Sequence, residues 1–578
     1  MSEEKRVVFG IDLGTTYSCI SYVDESENVV VIKNAENDTT TPSVVCYEDG
    51  ENIVVGETAK STAMLYPDQT ISFVKRSMGK PGVKFNVGGK EYTPEEVSSH
   101  ILRKLVKDAS DATGMEVKDV VITHPAYFGI NEKQATKDAG KIAGLNVVSI
   151  LDEPVAAAYS YGCQNEDSVI LVYDLGGGTF DVTMIDIKTV DGAKSINVVC
   201  TGGDAELGGK DWDDAIMMYF ASEFESEKGI PADNLLDDVE MRQELMIEAE
   251  KAKKQLSSKE KSVTAINFDG EKARIEITRD KFNEITEALL ERTIMKTKDL
   301  LDEAKEKGYT SFDKLLLVGG STYMPQVSEK IKAEFGIEPQ RFDPNESVSK
   351  GAALFGHSKA YEKAVTEVIK EITDIEPTDG EDDLTDIKKF SLPQQEKIKS
   401  ELAKKGYTLG SVTVANINTV TSQSFGVKAF VGDNSGAMKP MIVNIITKNT
   451  TLPANSTQRF GTNENNQDNV LIELFESEVA EELIEVDMGK QIGNAILDLP
   501  SGLPANSPID VTLGLTAEGL LSVTAIEPTS GKSCDISIET TSCMSDEQIE
   551  KAIEENSGIS VGDDGGFTPI ENNDEDEW

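Results

Sequence analysis

IDLGTTYS (residues 11–18) and DLGGGTFD (174–181) decide how this chain is read. Each follows an apolar run of strand length, VVFGI (7–11) and VILVYDL (169–175), and each offers aspartate, then glycine, then threonine. Such runs fit strands buried inside an α/β sheet. The glycines let backbone approach an anion closely, and successive N–H groups form a nest for it. A single GTT turn is an ordinary hairpin or βα turn. Two acid-plus-glycine turns in one domain predict a phosphate chain gripped from both sides, with Asp12 and Asp174 beside the waters of a Mg²⁺ ion. The bland alternative is a pair of tight hairpins in a duplicated fold.

A third strand-then-glycine unit, LLLVGGSTYMP (315–325), suits close approach by a base or ribose. With the first two it predicts one large α/β domain over 1–356, duplicated within itself. Neither G-x-x-x-x-G-K-[ST] nor a G-x-G-x-x-G after a strand is present, which excludes a P-loop and a dinucleotide fingerprint. Between the turns, Val97, Ile101, Leu102, Leu105, Val106 and Ala109 share one helical face.

The 578 residues carry 103 acids against 56 bases, a net charge of −47. That balance argues against nucleic acid and anionic membrane as partners. No apolar run of about 20 residues is available to span a bilayer, and the start lacks a signal-peptide core. The expected location is the cytoplasm. Six scattered cysteines read as reduced, mostly buried thiols, and three histidines are too few for a His-based metal site or a Ser/His/Asp triad. The N-x-S/T matches at Asn37, Asn449 and Asn455 carry no weight without secretion.

Composition changes after 356. Residues 357–412 are charged and helix-forming, broken by EPTDGEDD (376–383), and read as a helical insertion or linker. From 413 to 540, short β-branched runs (VTVANI, PMIVNII, NVLIELF, GLLSVTAIE) predict an antiparallel β domain. In 541–578, Ser545 and Gln548 form a capping-box pattern for a short helix, and the acidic tail from Asp563 reads as disordered.

The three glycine units, in this order, resemble the actin-like ATPase superfamily. FVKRSMG (73–79), VITHPAYF (121–128), QATKDAGKIAGL (134–145), LDEPVAAAYSYG (151–162) and ELGGKDWDD (206–214) narrow the resemblance to heat-shock 70 (DnaK-type) chaperones. SFGV (424–427), KNTTLPANSTQRF (448–460), NVLIELFE (469–476) and EGLLSVTAIEPTSGK (518–532) extend it into the β domain. It covers 1–356 and 412–555 and leaves 357–410 and the tail outside. The resemblance implies a two-lobed actin-like ATPase domain with a duplicated β-sheet core, followed by an antiparallel β-sandwich. It implies a stress-response chaperone that binds unfolded or extended hydrophobic peptides and hydrolyses ATP slowly. ATP/ADP, Mg²⁺ and K⁺ come with it as cofactors, and a J-domain co-chaperone and a nucleotide exchange factor as partners.

By the same resemblance, Lys75 reaches the γ-phosphate and the attacking water, Glu153 places that water, and Asp174 and Thr179 complete the catalytic set. Asp12 and Asp174 sit at the metal. Gly14, Thr15, Thr16, Tyr17, Gly176, Gly177 and Gly178 hold phosphates, and Gly208, Glu250, Lys253, Lys254, Ser257, Gly319, Gly320, Ser321 and Tyr323 surround the nucleoside. Val427, Phe430, Val470 and Ile472 line the peptide cleft. Without the resemblance, Lys75 would read as a surface lysine, Glu153 as a helix-start acid and the last four as ordinary β-domain core.

The chain also departs from the family pattern. Lys254 stands where a base-stacking arginine is usual, and Tyr323 where a second arginine is usual, although Tyr323 can itself stack on adenine. Pro125 keeps the switch proline, but Ser149 is read at the place of its partner arginine. The linker, roughly VANINTV (414–420), is polar, and the helical lid is cut to Ser545–Asn556. These features predict weak or altered communication between domains and fast peptide exchange. The competing readings are a nucleotide-binding scaffold with a weak or uncoupled ATPase, and a sugar kinase of the same superfamily, which the β domain disfavours.

Overall fold

Val8–Asp12 and Tyr17–Val23 form an antiparallel hairpin in the computed structural model, which describes residues 6–48, 52–162, 167–190, 193–373, 389–407, 415–432, 438–536, 544–557 and 559–562. Asp119–His124 pairs in parallel with Val8–Asp12, Asn146–Asp152 pairs in parallel beyond it, and Val29–Val31 flanks the other side. A second sheet repeats this order. Ser168–Leu175 and Phe180–Val190 make its hairpin, Lys314–Val318 and Gln340–Arg341 extend it in parallel, and Ala193–Asp204 flanks it. Matching order and matching direction make the α/β part a duplicated core. Its central strands are buried on both faces, as Phe9, Ile11, Leu171 and Val172 show.

The predicted amphipathic helix is Pro94–Thr113. Thr93 closes a capping box with Glu96, and Pro94 takes the first turn, where its missing N–H costs nothing. Its stripe is buried as expected, apart from the half-buried Val106.

The boundary expected at 356 is corrected, because helix Ser347–Thr373 runs unbroken through it. Tyr361, Ala364, Val365, Val368 and Ile369 pack against Ile398, Leu402 and Tyr407 of the helix Leu392–Lys404 and the turn after it. The segment 357–412 is therefore in large part a packed helical extension of the α/β unit. Among the described residues its charged side chains lie on the exposed and half-buried faces of that pair. EPTDGEDD and the tail from Asp563 lie outside the described residues.

The β part has two antiparallel sheets. One carries Leu483–Glu485, Met438–Ile446, Ser424–Gly432, Asn469–Ser477 and Lys490–Asp498. The other carries Ala454–Gly461, Pro508–Leu515, Leu521–Glu527 and Lys532–Ile536. They share one core containing Phe425, Leu474, Val511, Leu513 and Val523. Pro508–Leu515 alternates buried and half-buried along its length, the period of a strand with one face inward.

Of the chain between the two parts, Ala415–Asn418 is a strand. It pairs in parallel with Lys194–Asn197 at the edge of the second sheet. Ile130, from the α/β part, is buried within the β-domain core. Lys448 to Glu303 (2.8 Å) and Lys490 to Glu132 (3.2 Å) cross the interface. Helix Asp546–Ser557 starts on the Ser545–Gln548 cap and lies on the first lobe, where Ile549 and Ala552 meet Ile142. Strand Ser560–Gly562 then adds to Asn52–Val55. Cys19, Cys46 and Cys200 are buried free thiols. Among the described residues no helix is long and apolar enough to cross a membrane.

Candidate active site

The two glycine-rich motifs are the same turn of two repeated hairpins, and they interlock. A Cβ on Gly177 would lie 2.2 Å from Thr16 Oγ1, and one on Gly178 would lie 2.3 Å from Thr15 Cγ2. Only glycine permits that approach. Behind the second turn, Gly209 N donates to Gly176 O (2.9 Å) and Lys210 N to Gly177 O (2.8 Å). This pins the start of helix Gly209–Lys228 there and brings its positive dipole end to the turn.

A cleft of about 820 Å³ opens between the turns, within the range of ligand sites. Every residue expected at the nucleotide site lines it except Gly178 and Gly208, which pack on each other behind the turn. Thr15, Thr16, Gly176, Gly177 and Thr179 form the inner wall, and Gly319, Gly320, Ser321 and Tyr323 the outer end. Ser321 Oγ donates to Gly176 O at 2.8 Å, and Lys253 Nζ bonds Gly209 O (2.8 Å) and Asp213 Oδ2 (2.6 Å). Four chain segments are thus tied together under the cleft.

At its floor Lys75 Nζ stands 2.5 Å from Glu153 Oε1, with both side chains buried. The surface-lysine reading of Lys75 does not describe this position. Glu153 also opens helix Glu153–Gly162. Asp12, Asp174 and Asp181 lie around the pair. Burial, then Glu153, pushes Asp12 up to about 7 against the pull of Lys75. Burial and Glu153 raise Asp181 to about 8, and burial, Glu153 and Asp181 hold Asp174 far above its ordinary range. Three buried acids and the half-buried Asp12 facing one lysine leave the floor short of positive charge. No three acid, histidine or cysteine side chains converge as a direct metal cage among the described residues. The donor set therefore fits a hard divalent cation that keeps its own waters, as Mg²⁺ does.

At the outer end, Tyr17 OH donates to Glu250 Oε1 (3.2 Å) and accepts from Lys60 (2.8 Å) and Lys254 (2.7 Å). Burial alone would raise the Glu250 carboxyl, but Lys60 and Lys254 outweigh it and hold the group down to about 2. The Lys254 ammonium is thus engaged with Tyr17 and Glu250. The open flat surface is Tyr323, 43% exposed, with the Arg341 guanidinium 5.8 Å from its ring centre.

Three residues here went unread in the sequence. Lys60 and Arg341 belong to no motif and arrive from segments distant in the chain. The third is Lys133, a buried cation on helix Ile130–Ile142, with Nζ 3.7 Å from Asp152 Oδ1, next to Glu153. A Cβ on Gly519 of the β domain would lie 3.2 Å from that Nζ. Ser149, read as the vacated place of a relay arginine, instead donates from Oγ to Glu518 Oε1 of the β domain at 2.8 Å. Lys137 joins the same carboxylate at 3.1 Å. Of the four residues expected at the peptide cleft, Val427 and Ile472 are buried in the β-domain core and Val470 packs on it, whereas Phe430 is 53% exposed.

Comparison with known proteins is consistent across the chain. The family model described as Hsp70 protein matches residues 8–406 and 410–577, which takes in the stretch the motif reading had left outside. The "Chaperone protein DnaK" of Halobacterium salinarum is 36% identical over 566 residues, covering 96% of this chain and 78% of that protein. The "Chaperone protein DnaK" of Psychrobacter cryohalolentis is 35% identical over 579 residues, covering 94% and 79%. A single family model that spans both the cleft and the β domain, with relatives alike over nearly the whole length, makes this chain a member of the Hsp70 family.

Proposed function

We propose that this Hsp70-type, ATP-dependent chaperone hydrolyses ATP between its two interlocked hairpins, on an actin-like plan of paired lobes, and binds extended hydrophobic peptides with its β domain. The observation that carries the reading is the buried Lys75–Glu153 pair at the floor of a cleft walled by two phosphate-nest turns. The amides of 14–16 and 176–179 and the hydroxyls of Thr15, Thr16 and Thr179 hold the phosphates. Lys75 neutralises charge that develops on the terminal phosphoryl oxygens, and Glu153 orients the water that attacks phosphorus in line with the leaving ADP oxygen. Asp12 and Asp174 hold the waters of Mg²⁺, which supplies the remaining charge neutralisation when bound. The base rests on Tyr323, backed by Arg341. K⁺, a J-domain co-chaperone, an exchange factor and a cytoplasmic location belong to the same reading.

Contacts between the parts support coupling rather than its loss. The linker is docked as a strand, and Glu518 ties Ser149 and Lys137 to the β domain. The test is single-turnover ATP hydrolysis with and without an unfolded hydrophobic peptide, beside Lys75→Ala. Turnover that rises with peptide and falls about a hundredfold or more in the variant is expected. Tight ATP binding without turnover would replace this reading with the scaffold, and turnover blind to peptide would remove the coupling.

A further inference from the structure

Residues 544–562 lie against the first lobe, far in sequence from anything they touch. Helix Asp546–Ser557 sets Ile549 and Ala552 on Ile142, and Glu555 comes 3.8 Å from Lys90. The chain then turns. Arg103, on helix Pro94–Thr113, donates from Nη1 to Asn556 O at 2.8 Å and from Nη2 to Ile559 O at 2.6 Å. One guanidinium fork holds the two carbonyls that bracket the turn, the planar two-pronged donation arginine makes and lysine does not. Beyond the fork, Ser560, Val561 and Gly562 pair in parallel with Asn52, Ile53 and Val54. They complete the open side of a small sheet whose other strands are Val44–Tyr47 and Thr70–Ser72. Ile559 and Val561, two residues apart and so on one strand face, are 6% and 7% exposed and join the lobe core with Ile53, Val97 and Ile101.

We propose that the outer edge of Asn52–Val55, with Arg103 as its carbonyl clamp, is a strand-docking site for an extended segment with aliphatic residues two apart, and that its occupant is the chain's own Ile559–Gly562. Addition of a strand to a sheet edge takes affinity from main-chain hydrogen bonds and selectivity from alternate side chains. Both are present: the ladder on one side, and a core slot filled by Ile559 and Val561 on the other. The docked segment adds, beyond the β domain in sequence, a further attachment of the chain to the first lobe. The site does not depend on ATP or on the catalytic floor.

The test is amide hydrogen exchange on the full chain, beside Val561→Asp and Arg103→Ala. The expected result is protected amides at 52–55 in the unaltered protein and at least tenfold faster exchange there in Val561→Asp. A smaller acceleration is expected in Arg103→Ala, and unchanged exchange in the centre of helix Pro94–Thr113 in both. A labelled synthetic peptide of residues 554–563 should bind the Val561→Asp chain and not the unaltered one. Should Val561→Asp fail to fold, Val561→Ser carries the same comparison with a milder change. Exchange at 52–55 identical in all proteins overturns the proposal. So does acceleration spread equally through helix Pro94–Thr113, which would make the segment and the lobe one cooperative unit rather than a site and its separable occupant. Protection that grows with protein concentration would give the site to a second copy's strand and overturn the choice of occupant.

Discussion

Lys75 is 5% exposed, and an ammonium that far from water needs a partner at all times. Glu153 is that partner at rest, and a terminal phosphate would be a second. Tyr323 is the reverse case, an aromatic ring left open at the cleft mouth with Arg341 beside it. Stacking a base on an aromatic ring contributes about 1–3 kcal/mol, so Tyr323→Ala should weaken ATP binding roughly 5- to 150-fold and leave inorganic tripolyphosphate unaffected. Calorimetric titration with both ligands checks it, and equal affinity of variant and parent for ATP would place the base elsewhere. Residues that sit inside a motif, such as Asp12, Thr15 and Gly177, were legible because strand, acid and glycine are adjacent in sequence. Arg341, Lys60 and Lys133 were not, because each acquires its role only when separate segments meet. Lys254, which stands where a base-stacking arginine is usual, is held by Glu250 one turn before it on the same helix and by Tyr17 from the first glycine turn.

The strands and hairpins followed from apolar runs closed by glycine, and the helix Pro94–Thr113 from its stripe. The segment after 356 shows how composition can hide periodicity. Tyr361, Ala364, Val365, Val368 and Ile369 keep the spacing of a buried helical face, diluted by charged residues on the other faces. If that helix pair is part of the fold, Ile398→Ala should destabilise it by about 2–5 kcal/mol, as removal of a buried aliphatic does. A lowered thermal midpoint is expected, and an unchanged one would make Leu392–Lys404 a spacer. The linker is a different case. Its polarity was read as weak or altered communication between domains; the strand itself is held at the sheet edge by backbone bonds, which polar residues supply equally well. Asn418 even adds a side-chain bond to Asn197 Oδ1 at 2.7 Å. Ile417 packs against the core of the second lobe, so Ile417→Asp should loosen the strand and leave ATP hydrolysis unresponsive to peptide, measured by steady-state turnover with and without it. A response equal to that of the parent protein would remove the strand from the coupling path.

Across the whole molecule, the two parts meet through Ile130, through Glu518 with Ser149 and Lys137, and through the buried Glu476 with the half-buried Glu132 and the exposed Lys490. Burial raises the Glu476 carboxyl, Lys490 at 3.0 Å pulls it down, Glu132 pushes it up, and the net shift is upward from 4.5. The docked form therefore keeps a proton that a separated β domain would release. The contribution of Glu476 to docking is full below pH 4.5 and is lost as pH rises through the raised value. Glu476→Gln, which cannot ionise, should flatten that dependence. Protease cleavage of the linker across pH reads it, and a slope unchanged in the variant would assign the effect to other groups. Synthesis of the chain meets the same architecture in time rather than in space. A ribosome delivers Asn52–Val55 about 500 residues before Ser560–Gly562, an interval on the order of 25–100 s at usual elongation rates. Until then the first lobe stands with a bare sheet edge, the kind of surface on which nascent chains stick to one another. Only four residues long, that edge offers a neighbour little to grip until Ser560–Gly562 closes it.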